Sequence, residues 1–124
     1  MFSEFNKQFA RFDIAVAATD PQGTIVKANE AFCTLTGYTE AELKSLGYQD
    51  ITPERWTVYE NNMIIKQVFA KGYAKYQKEY RHKDGHVFPI ELEVWLLKDD
   101  DEVAQGMWGV VKPIDQLSDQ YSLS

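Results

Sequence analysis

Residues 76–97 constrain the chain most. Tyr76 to His82 alternates in polarity, Asp84-Gly85 is a strong two-residue hairpin signal, and Val87 to Leu97 forms a long returning strand. Successive strand side chains point to opposite faces, so Glu91 and Glu93 face one way while Ile90, Leu92 and Val94 face the other. A hairpin with one apolar face must bury that face under another layer, which commits the chain to an antiparallel sheet with a covering layer.

The remaining strands follow from turn chemistry. Asp13 to Thr19 reads as a strand and Thr24 to Ala28 as its return. Between them Asp20-Pro21-Gln22-Gly23 places Asp, Pro and Gly where a type I turn wants them. Asp99 to Glu102 is an acidic turn, Met107 to Val111 the last strand, and Pro113 its stop.

The middle of the chain is helical. Asn29 is an N-cap whose oxygen can accept from first-turn amides, Phe32 and Leu35 point inward, and Gly37 ends the helix. Thr39 to Glu42 is a capping box, with Tyr38 and Leu43 as its hydrophobic staple. Thr52-Pro53-Glu54 combines an N-cap hydroxyl, a proline at the first helical position and an acid, so the longest helix should run from here to Lys71, before Gly72. Phe2, Phe5, Phe9 and Phe12 line one side of an N-terminal helix. The expected organisation is an amphipathic helix over 1–12, an α+β domain over 13–114 with a five-stranded antiparallel sheet and helices on one face, and a tail or linker over 115–124.

At 124 residues there is room for one core. Thirteen basic against nineteen acidic residues give a formal charge of -6, a field that repels phosphate backbones, so nucleic-acid binding is not expected. One cysteine, Cys33, makes no internal disulfide. The chain has no apolar run of export-signal or membrane-span length, which points to a cytoplasmic protein with no membrane insertion.

Several of these segments, in this order, carry a family likeness. They are Asp20-Pro21-Gln22-Gly23, then Asn29-Glu30-Ala31-Phe32 leading to Leu35-Thr36-Gly37-Tyr38, then Glu42-Leu43, and Lys83-Asp84-Gly85 followed by Phe88-Pro89-Ile90. Together they resemble the PAS sensory domain over about residues 13 to 114. The resemblance implies a curved sheet clasping a small pocket against the helices. A ligand or cofactor there would shift the sheet and an attached output domain. Pro113-Ile114-Asp115 departs from the Asp-Ile-Thr that commonly ends the last PAS strand, which bears on the relay into an output helix.

The resemblance also frames which cofactors to expect. Haem-binding members take an axial His from the long helix, and none lies between Pro53 and Gly72. Light-oxygen-voltage members carry an Asn-Cys-Arg motif before that helix, and residues 48–55 have none. Haem and covalent flavin are therefore not expected, whereas non-covalent flavin stays open. His82 and His86 flank the Asp84-Gly85 turn, where a solvated imidazole is the ordinary reading and a metal ligand the lesser one.

A small organic ligand has more candidate residues. On the long helix Trp56, Tyr59, Met63 and Ala70 share one arc, while Val58, Ile65 and Phe69 lie nearly opposite. One side packs on the sheet; the other lines a pocket, meets a second molecule, or is simply core. Arg55 in the first turn suits a carboxylate or phosphate, Tyr48 and Tyr80 offer hydroxyls, and Ile90 and Leu92 supply an apolar wall. On the outer face, Trp95 shares parity with Glu91 and Glu93, and Trp108 with Lys112. The phenylalanine helix is their natural cover, folded onto its own sheet or building a homodimer.

Three functions compete. The first is a ligand-sensing module of a bacterial signalling protein, such as a histidine kinase or cyclic-dinucleotide enzyme. The second is a ligand-free domain for dimerisation or partner docking. The third, a small acid-base enzyme, lacks a nucleophile and base pair, metal-ligand spacing and a phosphate loop.

Overall fold

The computed structural model describes residues 3–121. Its elements run α1 (Ser3–Phe9), β1 (Ala15–Thr19), β2 (Ile25–Ala28), α2 (Glu30–Thr36), α3 (Glu40–Leu43), a 3-10 turn (Tyr48–Ile51), a long helical run over 54–71, β3 (Tyr73–Arg81), β4 (Val87–Lys98) and β5 (Ala104–Pro113), then a 3-10 turn (Asp119–Tyr121). The five strands form one antiparallel sheet in the order β2-β1-β5-β4-β3.

Local hydrogen bonding explains where the early elements begin and end. Asp20 Oδ1 accepts from the amides of Gln22 and Thr24, both at 2.9 Å, and closes the first turn. Asn29 caps α2 through the Phe32 amide at 2.9 Å, and the same oxygen takes the Val16 amide at 3.0 Å while its nitrogen donates to the Ile14 carbonyl at 2.9 Å. One buried side chain thus ties a helix start to the edge of β1. Thr39 and Glu42 form the reciprocal capping box of α3, and Gly37 closes α2 in the left-handed conformation at φ 83°.

Four expectations need correction. Thr52 does not cap the long helix: residues 48–51 already form a 3-10 turn, so its hydroxyl donates back to the Tyr48 carbonyl at 2.7 Å. The β3–β4 turn is not a two-residue loop. Gly85 donates to the His82 carbonyl at 2.8 Å and sits at φ 100°, and His82 donates to the His86 carbonyl at 2.8 Å, making a three-residue loop in which glycine takes the left-handed position. β5 begins at Ala104, three residues before Met107, because Gly106 lets the strand continue where its backbone crosses Thr19. Finally, Phe12 is 89% exposed, since α1 stops at Phe9 and Arg11 turns the chain by binding Asp13 at 2.7 and 2.9 Å.

Of the remaining aromatics in that helix, Phe2 lies outside the described residues, and Phe5 and Phe9 settle on the sheet's outer face. Phe5 meets Trp108 edge-on at 5.7 Å, and Trp108 stacks on its cross-strand partner Trp95 at 4.4 Å. Lys27 places its ammonium 5.0 Å from the Phe9 ring. Helix α1 therefore folds back over its own sheet. On the opposite face Ile25, Phe32, Leu43, Ile51, Ile64, Val68, Ile90 and Leu92 build the main core.

The tail does not fray through residue 121. The Ser118 amide donates to Gln77 Oε1 at 2.7 Å, and the Tyr121 ring packs on Tyr59 at 6.4 Å.

Candidate functional site

The long helical run changes pitch midway. A 3-10 turn (Glu54–Trp56) and one α-turn (Thr57–Tyr59) lead into a π-helical stretch (Glu60–Ile65) before α geometry resumes over Lys66–Lys71. A π turn takes up more residues than the 3.6 of an α turn. Side chains four apart therefore stay in line, and the buried row is Trp56, Glu60, Ile64 and Val68. The expected arc of Trp56, Tyr59, Met63 and Ala70 is thereby overturned beyond Trp56, and Ala70 is exposed. Met63 is 60% exposed and Val58 69% exposed, and Tyr59 is half-buried against Trp56 and Tyr121.

Under this row lies a cavity of about 60 Å³. Its apolar wall comes from Ile25, Phe32, Ile51, Ile65, Leu92, Val94, Met107 and Val111, and its polar groups are Thr19, Tyr48, Glu60, Tyr76, Lys78 and Tyr80. Lys78 is 1% exposed and Glu60 2% exposed, and their charges meet at 2.5 Å from Nζ to Oε2. Lys78 also donates to Thr52 Oγ1 at 2.9 Å, and the Tyr76 hydroxyl donates to the same Glu60 oxygen. The ammonium lies 5.4 Å from the Tyr48 ring and 5.2 Å from the Tyr80 ring. A charge pair is thus buried with hydrogen-bond partners on both sides, which such a pair needs to persist away from water.

Burial sets the ionisation of this cluster. It pushes the Lys78 ammonium below its ordinary value, an effect that Glu60 opposes. Burial first, and the Glu60 charge second, push Tyr48 up to about 12 and hold Tyr76 and Tyr80 far above the usual phenol range. All three phenols remain donors at neutral pH. Burial likewise raises the Cys33 thiol, with Glu40 and Glu30 adding to it, so the thiolate is disfavoured.

Of the residues singled out in the sequence, Tyr48, Tyr80 and Leu92 lie on the cavity wall. Ile90 is fully buried in the core without lining it, and Trp56 is buried with its indole donating to Glu79 Oε1 at 3.0 Å. Arg55 is half-exposed and paired with that same Glu79, so the first helical turn presents no free guanidinium toward the cavity. Trp95 and Trp108 sit under α1 on the other face. Glu60, Tyr76 and Lys78 were missed. The available signal was parity: Lys78 falls between Tyr76 and Tyr80 on the inward side of an alternating strand, where a charge has no place without a partner.

Among the described residues no histidine or cysteine lines the cavity, and its volume falls well below the roughly 300 Å³ at which pockets for drug-sized ligands begin. Among the described residues no helix is long and apolar enough to cross a membrane.

Solved structures share this architecture. A PAS domain of a protein from Colwellia psychrerythraea superposes with a TM-score of 0.82 at 24% identity, covering 91% of this chain and 96% of that one. A PAS domain from a two-component sensor histidine kinase gives 0.71 at 20% identity, covering 90% and 99%. A light-oxygen-voltage domain studied with a flavin analogue gives 0.76 at 22% identity, covering 91% and 86%. At these identities the likeness is one of fold. The sequence profile of the PAS domain matches residues 13–114, most of the chain, and so the chain belongs to the PAS domain family.

Proposed function

We propose that this PAS domain is the sensory module of a signal-transduction protein and that its cavity receives a compact, uncharged molecule bearing a hydrogen-bond acceptor. The observation that carries this reading is the Lys78–Glu60 pair on the cavity wall. The pair is neutral as a unit, so a charged ligand beside it brings a charge with no counterpart into a dry site. Lysine carries three donors, and Thr52 and Glu60 take two. Elsewhere in the wall Thr19 Oγ1 is buried with no partner among the described residues, a second point for a polar ligand group. A single water needs at least about 10–15 Å³, so the cavity holds a few non-hydrogen atoms without rearrangement.

Binding is read out through the strands. Leu92, Val94 and Met107 line the cavity from β4 and β5, whose outer face carries Trp95 and Trp108. A shift there passes to α1 and to an attached or separate output domain. Phe12 beside α1 offers an apolar contact to a second copy of the chain, in line with the expected homodimer.

The test is an amide-resolved NMR titration with acetamide, acetate and methylammonium as matched probes. Acetamide should move the amides of Ile25, Tyr48, Leu92 and Met107 while the two ions leave them in place. A second reading, a ligand-free docking domain, draws on Val58, Met63 and Phe69, which lie exposed along one helical run. Silence from all three probes, with Ala17→Val filling the cavity and raising stability, would decide for that reading.

A further inference from the structure

We propose that His82, Asp84 and His86 form a surface site for a divalent transition-metal ion of the zinc, nickel or copper class. The three residues belong to the β3–β4 loop, and one ligand atom from each lies within 4.8 Å of the others. The His82 and His86 rings stack at 4.7 Å with planes 21° apart. Asp84 Oδ1 sits between them, 3.3 Å from His82 Nδ1 and 2.5 Å from His86 Nδ1. A zinc ion holds nitrogen and oxygen at about 2.0–2.2 Å, so its ligand atoms span up to about 4 Å. Small rotations of the two solvent-facing side chains open the 2.5 Å pair and close the widest one to that spacing.

The loop is held in this shape before any ion arrives. His82 donates to the His86 carbonyl at 2.8 Å, and Lys83 donates to the Thr36 carbonyl at 2.9 Å, pinning the loop to the end of α2. The His82 ring lies over Gly37, where any Cβ would overlap it. His86 rests on Phe88, with ring centroids 5.5 Å apart. The loop's own cation is turned away, because Lys83 binds Glu42 at 2.6 Å. The ion takes the place of the proton between His86 Nδ1 and Asp84 Oδ1, and of the 3.1 Å bond from the Asp84 amide to His82 Nδ1; that amide is then left to solvent. Two imidazoles and one carboxylate suit transition metals, whereas magnesium and calcium prefer all-oxygen shells. Water fills the open positions.

The test is calorimetric titration of the tag-free, chelator-stripped chain with zinc chloride and, separately, magnesium chloride. One zinc ion per chain is expected, with no saturable magnesium heat. Asp84→Asn keeps an oxygen for the His86 amide, which Asp84 Oδ1 accepts at 3.0 Å, so a fall in zinc affinity of at least about tenfold reads the lost ligand and not a lost turn. His82→Gln and His86→Gln should each fall as far. Zinc-induced amide shifts in the unaltered chain should centre on residues 36–37 and 82–86, a readout that needs no variant. The proposal is overturned by absence of saturable zinc heat, by zinc binding that survives the double His82→Gln, His86→Gln substitution, by an equal response to magnesium, or by shifts centred on Cys33.

Discussion

Replacing Lys78 by Met removes one half of a fully buried ion pair. Glu60 keeps the Tyr76 hydroxyl and loses the ammonium at 2.5 Å, while Tyr48 and Tyr80 lose the cation between their rings. Stranding one member of such a pair costs about 3–5 kcal/mol. With a urea dependence of about 1.5 kcal/mol per molar, the unfolding midpoint should fall by about 2–3 M. Glu60→Leu should cost more, because it strands both Lys78 and Tyr76. The double variant Lys78→Met, Glu60→Leu leaves only the Tyr76 hydroxyl without its acceptor, a penalty of about 1–3 kcal/mol, and adding Tyr76→Phe should bring stability back near the starting protein. Urea unfolding of the five chains, followed by circular dichroism, measures this cycle. Single-variant losses below about 1 kcal/mol, or a triple variant no more stable than the singles, would refute the buried pair.

Three further outcomes follow from the geometry. Phe5→Ala should cost about 3–5 kcal/mol and alter tryptophan fluorescence, since Phe5 is 6% exposed against Trp108; an unchanged spectrum means that α1 does not dock on its own sheet. Gly106→Ala should destabilise more than Gly85→Ala: both sit at positive φ, but a Cβ at 106 overlaps the Thr19 carbonyl while one at 85 meets open space, and equal urea midpoints contradict this. Alkali should weaken the fold, because Tyr48 and Tyr73 are both pushed up to about 12, Tyr48 chiefly by burial and Tyr73 chiefly by its bond to Glu93. The unfolded chain releases these protons near 10 while the folded chain keeps them, so stability is lost as pH rises from about 10 toward 12. Paired urea midpoints and tyrosinate absorbance check it.

What could be read in advance was short-range chemistry. The Asp20 turn, the Asn29 cap, the Thr39–Glu42 box and the Gly37 and Gly72 stops each involve residues within a few positions of one another, and each formed. Strand parity carried equally well, placing Leu92 and Val94 inward and Glu91 and Glu93 outward. The cavity chemistry was less legible because it joins distant residues. Lys78 and Glu60 are eighteen positions apart, and neither looks buried until the other is in place. The helical wheel also failed for a definite reason: it assumed 3.6 residues per turn across a π-helical stretch. Phe12 continued the spacing of Phe5 and Phe9, but the Arg11–Asp13 pair ended the helix first.

The stacked tryptophans give this domain an optical gauge. Two indoles 4.4 Å apart with planes 21° apart couple their electronic transitions strongly, and that coupling varies with the offset between the rings. Trp95 rides on β4 and Trp108 on β5, the strands whose opposite faces touch the cavity. Sliding of one strand against the other by a fraction of an ångström is therefore converted into a change in the near-ultraviolet dichroism of the native chain, with no label attached.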